Sequence, residues 1–209
     1  MSFKLGEELV NELEAILLFE GDKIDNEVFE KLNNKGIFSG KEGEIVVYRD
    51  LEDKQRYVFV GLGKEKDLTL DKVRKIFFKF AKELEAKKES EVKVYIPKLN
   101  GLCTRKTYGA AFEGILHAGY TYDRFKSKKE EEFELNVRFD IEEEKEEKVL
   151  AELEKIQNIM DGVYFTRDLV NLPSNYIYPE TLANITKEEL EKFGVTVKIY
   201  EEKEIKELA

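Results

Sequence analysis

The sequence predicts an α/β fold layered helix–sheet–helix, which passes through one long helix into a shorter helix–strand–helix segment. Three observations carry this reading. Short β-branched and aromatic runs alternate with helical stripes over the first 142 residues. An apolar stripe stepping by three, four or seven residues then continues unbroken from Val149 to Val170. Finally, two of the three prolines, Pro173 and Pro179, stand between two helical patterns.

The elements follow in order. AILLFEG (15–21), EIVVYRD (44–50) and RYVFVGL (56–62) are apolar runs bounded by glycine or charge, and are expected as strands. Residues 69–88 form a helix whose Leu70, Val73, Phe77, Phe80 and Leu84 make one stripe. Thr69 is its expected cap, and Asp71 complements the helix dipole. VKVYIP (92–97) returns as a strand that Pro97 stops. A helix over 105–122 follows, with Thr104 as cap. Its small residues Gly109, Ala110, Gly114 and Ala118 are expected to bring it close to a sheet. FELNVRFDI (133–141) alternates apolar and charged residues, so it reads as a half-exposed or edge strand. From Glu143 one long helix runs to about Asn171, where Pro173 disfavours its continuation. Pro179 suits the first turn of the next helix, which ends at Phe193 with Gly194 as its left-handed cap. VTVKIY (195–200) is expected as a strand, and EEKEIKELA as the start of another helix.

Residues 165–183 therefore read as a hinge: a helix stop, an extended proline-braced link and a helix start. One strand and two helices beyond it cannot build a core, since a domain needs several layers burying one another. The expected organisation is an α/β domain over 1–142, a linker over 143–178, and a truncated opening of a second domain over 179–209.

Composition excludes several function classes. Apolar residues at 42% and aromatics at 11% supply a packed core despite 38% charged residues. A net charge of −10 speaks against nucleic acid as a partner. No apolar run approaches membrane-spanning length, and the N-terminus lacks the pattern of a secretion signal. The single cysteine, Cys103, rules out an internal disulfide and fits a reducing, cytoplasmic setting. Charge carried mostly by Lys and Glu, with only Gln55 and Gln157 as glutamines, points to a thermophilic source.

No stretch assembles an active site. The 45 Asp and Glu residues fall on charged helix faces or in runs, and read as solvated surface. His117 is the only histidine, so a usual zinc ligand set lacks its parts, and a Ser–His–Asp triad would have to use this residue, which lies within an apolar helix beside Leu116 and reads as structural. Cys103 has no histidine near it in sequence to activate it. Gly61 and Gly63 in VGLGKEK stand at a strand end before a helix, where phosphates can bind, yet they match neither phosphate-loop spacing. A tight strand-to-helix turn is the simpler reading. The assignment of catalytic, metal and substrate-binding residues in this chain is therefore none.

Four ordered stretches do carry a resemblance. TRDLVNLPSNYIYPETLA (166–183), VGLGKEKDLTLDKVRK (60–75), HAGYTYDRFKSKK (117–129) and FGVTVKIYEEKEIKEL (193–208) resemble, in order and spacing, the leucyl aminopeptidases of the cytosol aminopeptidase family. The match departs at Ser174, where members commonly carry proline, and at Tyr178, where they carry threonine, a better helix cap. The resemblance implies a macrodomain-like N-terminal domain joined to a metal-dependent aminopeptidase. The whole enzyme would use two divalent metal ions, zinc or manganese, on peptide substrates, as a hexameric homo-oligomer. The family's ligands and catalytic residues lie downstream of the segment matching 193–208, so none transfers here. What it implies is an inactive N-terminal portion with a structural or assembly role. The alternative is a macrodomain-like module that binds ADP-ribose or a related nucleotide.

Overall fold

The computed structural model describes residues 2–5, 13–52, 55–128 and 133–208. Its strands are β1 (Ser2–Leu5), β2 (Leu13–Phe19), β3 (Ile45–Arg49), β4 (Arg56–Gly63), β5 (Glu91–Tyr95) and β6 (Glu134–Asp140). Its helices are α1 (Glu27–Asn34), α2 (Leu70–Lys87), α3 (Thr104–Gly119), α4 (Glu143–Val170), α5 (Pro179–Glu191) and α6 (Glu202–Leu208). Contacts divide the chain into two units, 1–161 and 162–209.

In the first unit six strands form one sheet in the order β1-β6-β5-β2-β4-β3. Every pairing is parallel except that of β3 with β4. Side chains alternate across the sheet, and residues in register share a face. Ala15, Val58, Val94 and Phe139 are therefore aligned on one face, and all are buried. Helices α2 and α3 cover that face with Phe77, Phe80, Phe112 and Ile115, while Tyr108 and Phe112 meet Phe139 edge-on. The opposite face carries α1, whose Val28 and Phe29 pack with Leu18, Phe38 and Phe59. The result is helix–sheet–helix, as a mostly parallel sheet requires for burial of both faces.

Two of the small residues of α3, Gly109 and Gly114, act differently from expectation. These two glycines bring α3 close to other helices. A Cβ on Gly114 would lie 2.2 Å from the Arg74 carbonyl oxygen of α2, and one on Gly109 would lie 3.0 Å from Glu152 Cγ of α4. Two elements were not anticipated. Strand β1 pairs with β6, so β6 is an interior strand and not an edge. Helix α1 has only Val28, Phe29 and Leu32 as its apolar positions, too few to stand out as a stripe. Its cap was legible, since the Asn26 side chain accepts from the Val28 and Phe29 N–H groups at 3.0 and 2.9 Å. Helix α2 starts as predicted, with the Thr69 hydroxyl accepting from Lys72 N–H at 3.3 Å. The cap of α3 is Cys103 rather than Thr104, and its side chain makes no capping bond.

Two buried polar groups pin the layers together. The Tyr108 hydroxyl accepts from Ile96 N–H at 3.1 Å and donates to the Asp140 carbonyl at 2.8 Å, tying α3 to the ends of β5 and β6. Burial pushes this phenol up to about 12. On the outer side of α3, the buried Glu152 of α4 accepts from Lys106 at 2.6 Å and faces Arg105 at 3.5 Å. Val149, Leu153 and Met160 of α4 are buried with it.

Removing the Tyr108 hydroxyl by Tyr108→Phe leaves Ile96 N–H without a partner. It should cost about 1–3 kcal/mol, read as a lower urea midpoint at unchanged slope. The hydrogen bond from Lys106 holds the Glu152 carboxyl below its ordinary range against the opposing effect of burial. The unfolded chain therefore binds a proton at higher pH than the folded one. Stability from this group is complete above the ordinary carboxyl range and is lost as pH falls through the lowered folded value. Glu152→Gln should lose about 1–2 kcal/mol at neutral pH, discounted because Lys106 is partly exposed. Urea midpoints measured from neutral pH downward should converge with the wild type as the acid range is entered.

Candidate functional site

The residues singled out from the sequence do not converge. His117 lies on α3 one turn from Glu113, 3.9 Å away, and Glu113 also receives Arg74 at 2.8 Å. Cys103 is exposed at the start of α3. Among the described residues no group of three or more His, Cys, Asp and Glu side chains is placed to hold a metal ion. The residues present do not fit a two-metal centre, and no step of metal chemistry can be built on them.

The Gly61–Gly63 turn has a definite structure, and it is filled from within. Residues 39–44 cross the end of β4, with Gly63 N–H donating to Gly40 O at 2.8 Å and Gly43 N–H to Gly61 O at 2.9 Å. A Cβ on Gly61 would lie 2.0 Å from Lys41 O, so the glycine is required by close approach of backbone. Glu44 Oε2 accepts from Ser39 N–H at 2.7 Å, Ser39 hydroxyl at 3.2 Å and Lys41 N–H at 3.2 Å. Asn100, in the loop after β5, donates to Glu65 at 2.6 Å in the turn after β4. Open α/β sheets commonly bind ligands at such strand ends. Here internal bonds occupy these positions. Sequence reasoning found the two glycines but not Glu44; the signal was SGKEGE (39–44), a polar loop with two glycines ahead of a strand.

Residues 162–208 present a different kind of surface. No residue in this span is buried. Leu169, Val170, Ile177, Pro179, Leu182 and Ala183 line an apolar groove, and Val170, Phe193 and Leu208 are each more than two thirds exposed, at 79%, 76% and 72%. The link between α4 and α5 is not extended as expected. Tyr176 and Ile177 N–H groups both donate to Pro173 O, at 2.8 and 3.1 Å, closing a turn over Ser174 and Asn175. Tyr178 is the poor cap anticipated, and Thr181 compensates: its hydroxyl accepts from Tyr178 N–H at 2.9 Å. Gly194 takes φ +76 as predicted, with Val195 N–H returning to Leu190 O at 3.2 Å. Residues 195–200 are not a strand in this chain, because no described strand lies beside them to complete a ladder.

Comparison with known proteins supplies what the geometry does not. The family model described as the cytosol aminopeptidase family, N-terminal domain, matches residues 14–129. A probable cytosol aminopeptidase of Treponema denticola is 45% identical over 194 residues, spanning 93% of this chain and 40% of that protein. The fold is similar to a tomato leucine aminopeptidase mutant, with a TM-score of 0.78 and 20% identity over 100% of this chain and 46% of that one. It is also similar to the bottromycin maturation enzyme BotP in complex with Mn, with a TM-score of 0.76 and 18% identity over 95% of this chain and 40% of that one. The chain thus spans less than half the length of these relatives. Its helix–sheet–helix layers, its 45% identity to a family member and the matching family model together place it: the chain belongs to the cytosol aminopeptidase family and carries that family's N-terminal domain.

Proposed function

We propose that this chain is the non-catalytic N-terminal portion of a metal-dependent leucyl aminopeptidase that releases N-terminal residues from peptides, and that it is inactive alone. The observation that supports this most is the exposed apolar surface of residues 162–208. Side chains such as Val170, Leu182 and Phe193 face solvent here, as the first elements of a layered domain do before its other layers cover them. In this reading residues 1–142 are the N-terminal domain, 143–178 the linker and 179–209 the opening of the peptidase domain.

The two divalent ions, zinc or manganese, belong to the remainder of the enzyme, where they would activate water and polarise the scissile carbonyl. The role of this portion is structural, in assembly of a cytoplasmic homo-oligomer. Lys–Glu ion pairs such as Lys187–Glu191 and Lys72–Glu42, with the Lys75–Asp71 pair, fit a thermophilic source.

The test is hydrolysis of a leucyl chromogenic substrate by the purified 209-residue chain with zinc or manganese added. Product release should stay at the protein-free rate; metal-dependent turnover abolished by a chelator would refute inactivity. A second outcome concerns the groove. Leu182→Ser should change the stability of this chain by less than about 0.5 kcal/mol, because the side chain is already 42% exposed. In the longer enzyme the same change should cost about 1–3 kcal/mol, the scale of a covered apolar side chain.

A further inference from the structure

The loop at the end of β4 has the parts of an anion receptor, and a carboxylate of the chain itself sits in it. Glu44 Oε2 takes Ser39 N–H at 2.7 Å, Ser39 hydroxyl at 3.2 Å and Lys41 N–H at 3.2 Å. Gly40, between the two amides, stands at φ +79. Successive N–H groups around such a left-handed residue turn toward one point and form a concavity for negative charge. We propose that Ser39–Lys41 is a small-anion receptor whose resident anion is the Glu44 carboxylate, so that removing this carboxylate opens a phosphate-binding site the wild-type chain keeps closed.

The receptor does not depend on its occupant for its shape. Its backbone is held by Gly63 N–H on Gly40 O at 2.8 Å, Gly43 N–H on Gly61 O at 2.9 Å and Gly61 N–H on Glu44 O at 2.7 Å. None of these bonds uses the Glu44 side chain. The surrounding charge suits an anion. Lys41 belongs to the loop, and Lys79 Nζ lies 2.9 Å from where a Cβ on Gly43 would stand. The opposing carboxylate, Glu42, is paired with Lys72 at 2.8 Å. Three donors converging on one oxygen match a phosphate oxygen as well as a carboxylate oxygen, since charge-assisted hydrogen bonds to either share geometry. The wild type rejects phosphate because an anion would have to displace a tethered competitor at high effective concentration.

The experiment uses inorganic phosphate against chloride at matched ionic strength, with the full chain as wild type, Glu44→Ala and Glu44→Gln. Thermal midpoints are read alongside the amide resonances of Ser39 and Lys41. In Glu44→Ala the midpoint should rise with the logarithm of phosphate concentration. The two amides should shift saturably, with apparent affinity on the order of tenfold or more above the wild type's, about 1.4 kcal/mol per tenfold. Glu44→Gln keeps the side-chain shape and removes its charge, so it should give the same amide shifts at higher phosphate. The wild type should give neither response. The proposal is overturned if wild type and Glu44→Ala respond alike. It is equally overturned if folded Glu44→Ala shows no saturable shift. Should Glu44→Ala fail to fold, Glu44→Gln amides that stay fixed in phosphate would overturn it too.

Discussion

Two helices, α2 and α3, share one face of the sheet, and the constraint that permits this is the missing side chain at Gly114. The Arg74 carbonyl of α2 occupies the space a Cβ would need, 2.2 Å from its position. With the helices this close, Phe77 and Phe80 from one and Phe112 and Ile115 from the other all reach the strands and are buried. A larger residue would wedge the helices apart and leave part of a parallel sheet open to water, which such sheets tolerate poorly. Gly109 serves a similar end on the outer side, where α4 comes close enough to seat Glu152 against Lys106.

Beyond the carboxyl ends of the strands, polar groups are satisfied by one another. The Tyr108 hydroxyl closes the ends of β5 and β6, Asn100 bridges to Glu65, and Glu44 fills the loop beyond β4. In ligand-binding α/β proteins this edge is where a crevice would hold a nucleotide or phosphate. In this chain those donors and acceptors instead bond one another. Fold alone would not have indicated this bonding; the partners of individual N–H groups do.

The two units differ in how they meet water. The first buries Val58, Phe59, Phe77, Val92 and Leu135 completely, whereas no residue from 162 to 208 is buried. Helix α5 is nonetheless well formed, with Pro179 at its first turn, the Thr181 hydroxyl on Tyr178 N–H and the Gly194 terminus closing it. Local signals therefore set its ends, while its apolar side chains, Leu182 among them, stay partly exposed. Family membership and the short span relative to known members fit that division.

The sequence by itself determined the elements whose signals are local. Thr69 began α2, Pro173 ended α4, Pro179 began α5, Gly194 ended it, and the alternation in 133–141 placed β6 half-buried, all because capping and periodicity act within a few residues. It also carried the family, through four stretches in order. Only the tertiary structure decided what depended on distant partners. Gly109 and Gly114 of α3 proved to face helices, β1 turned β6 into an interior strand, and Glu44 became the anion in a loop next to β4. Residues 195–200 have the alternation of a strand without being one. A strand exists only through hydrogen bonds to a neighbour, and a neighbour is not written in the segment itself.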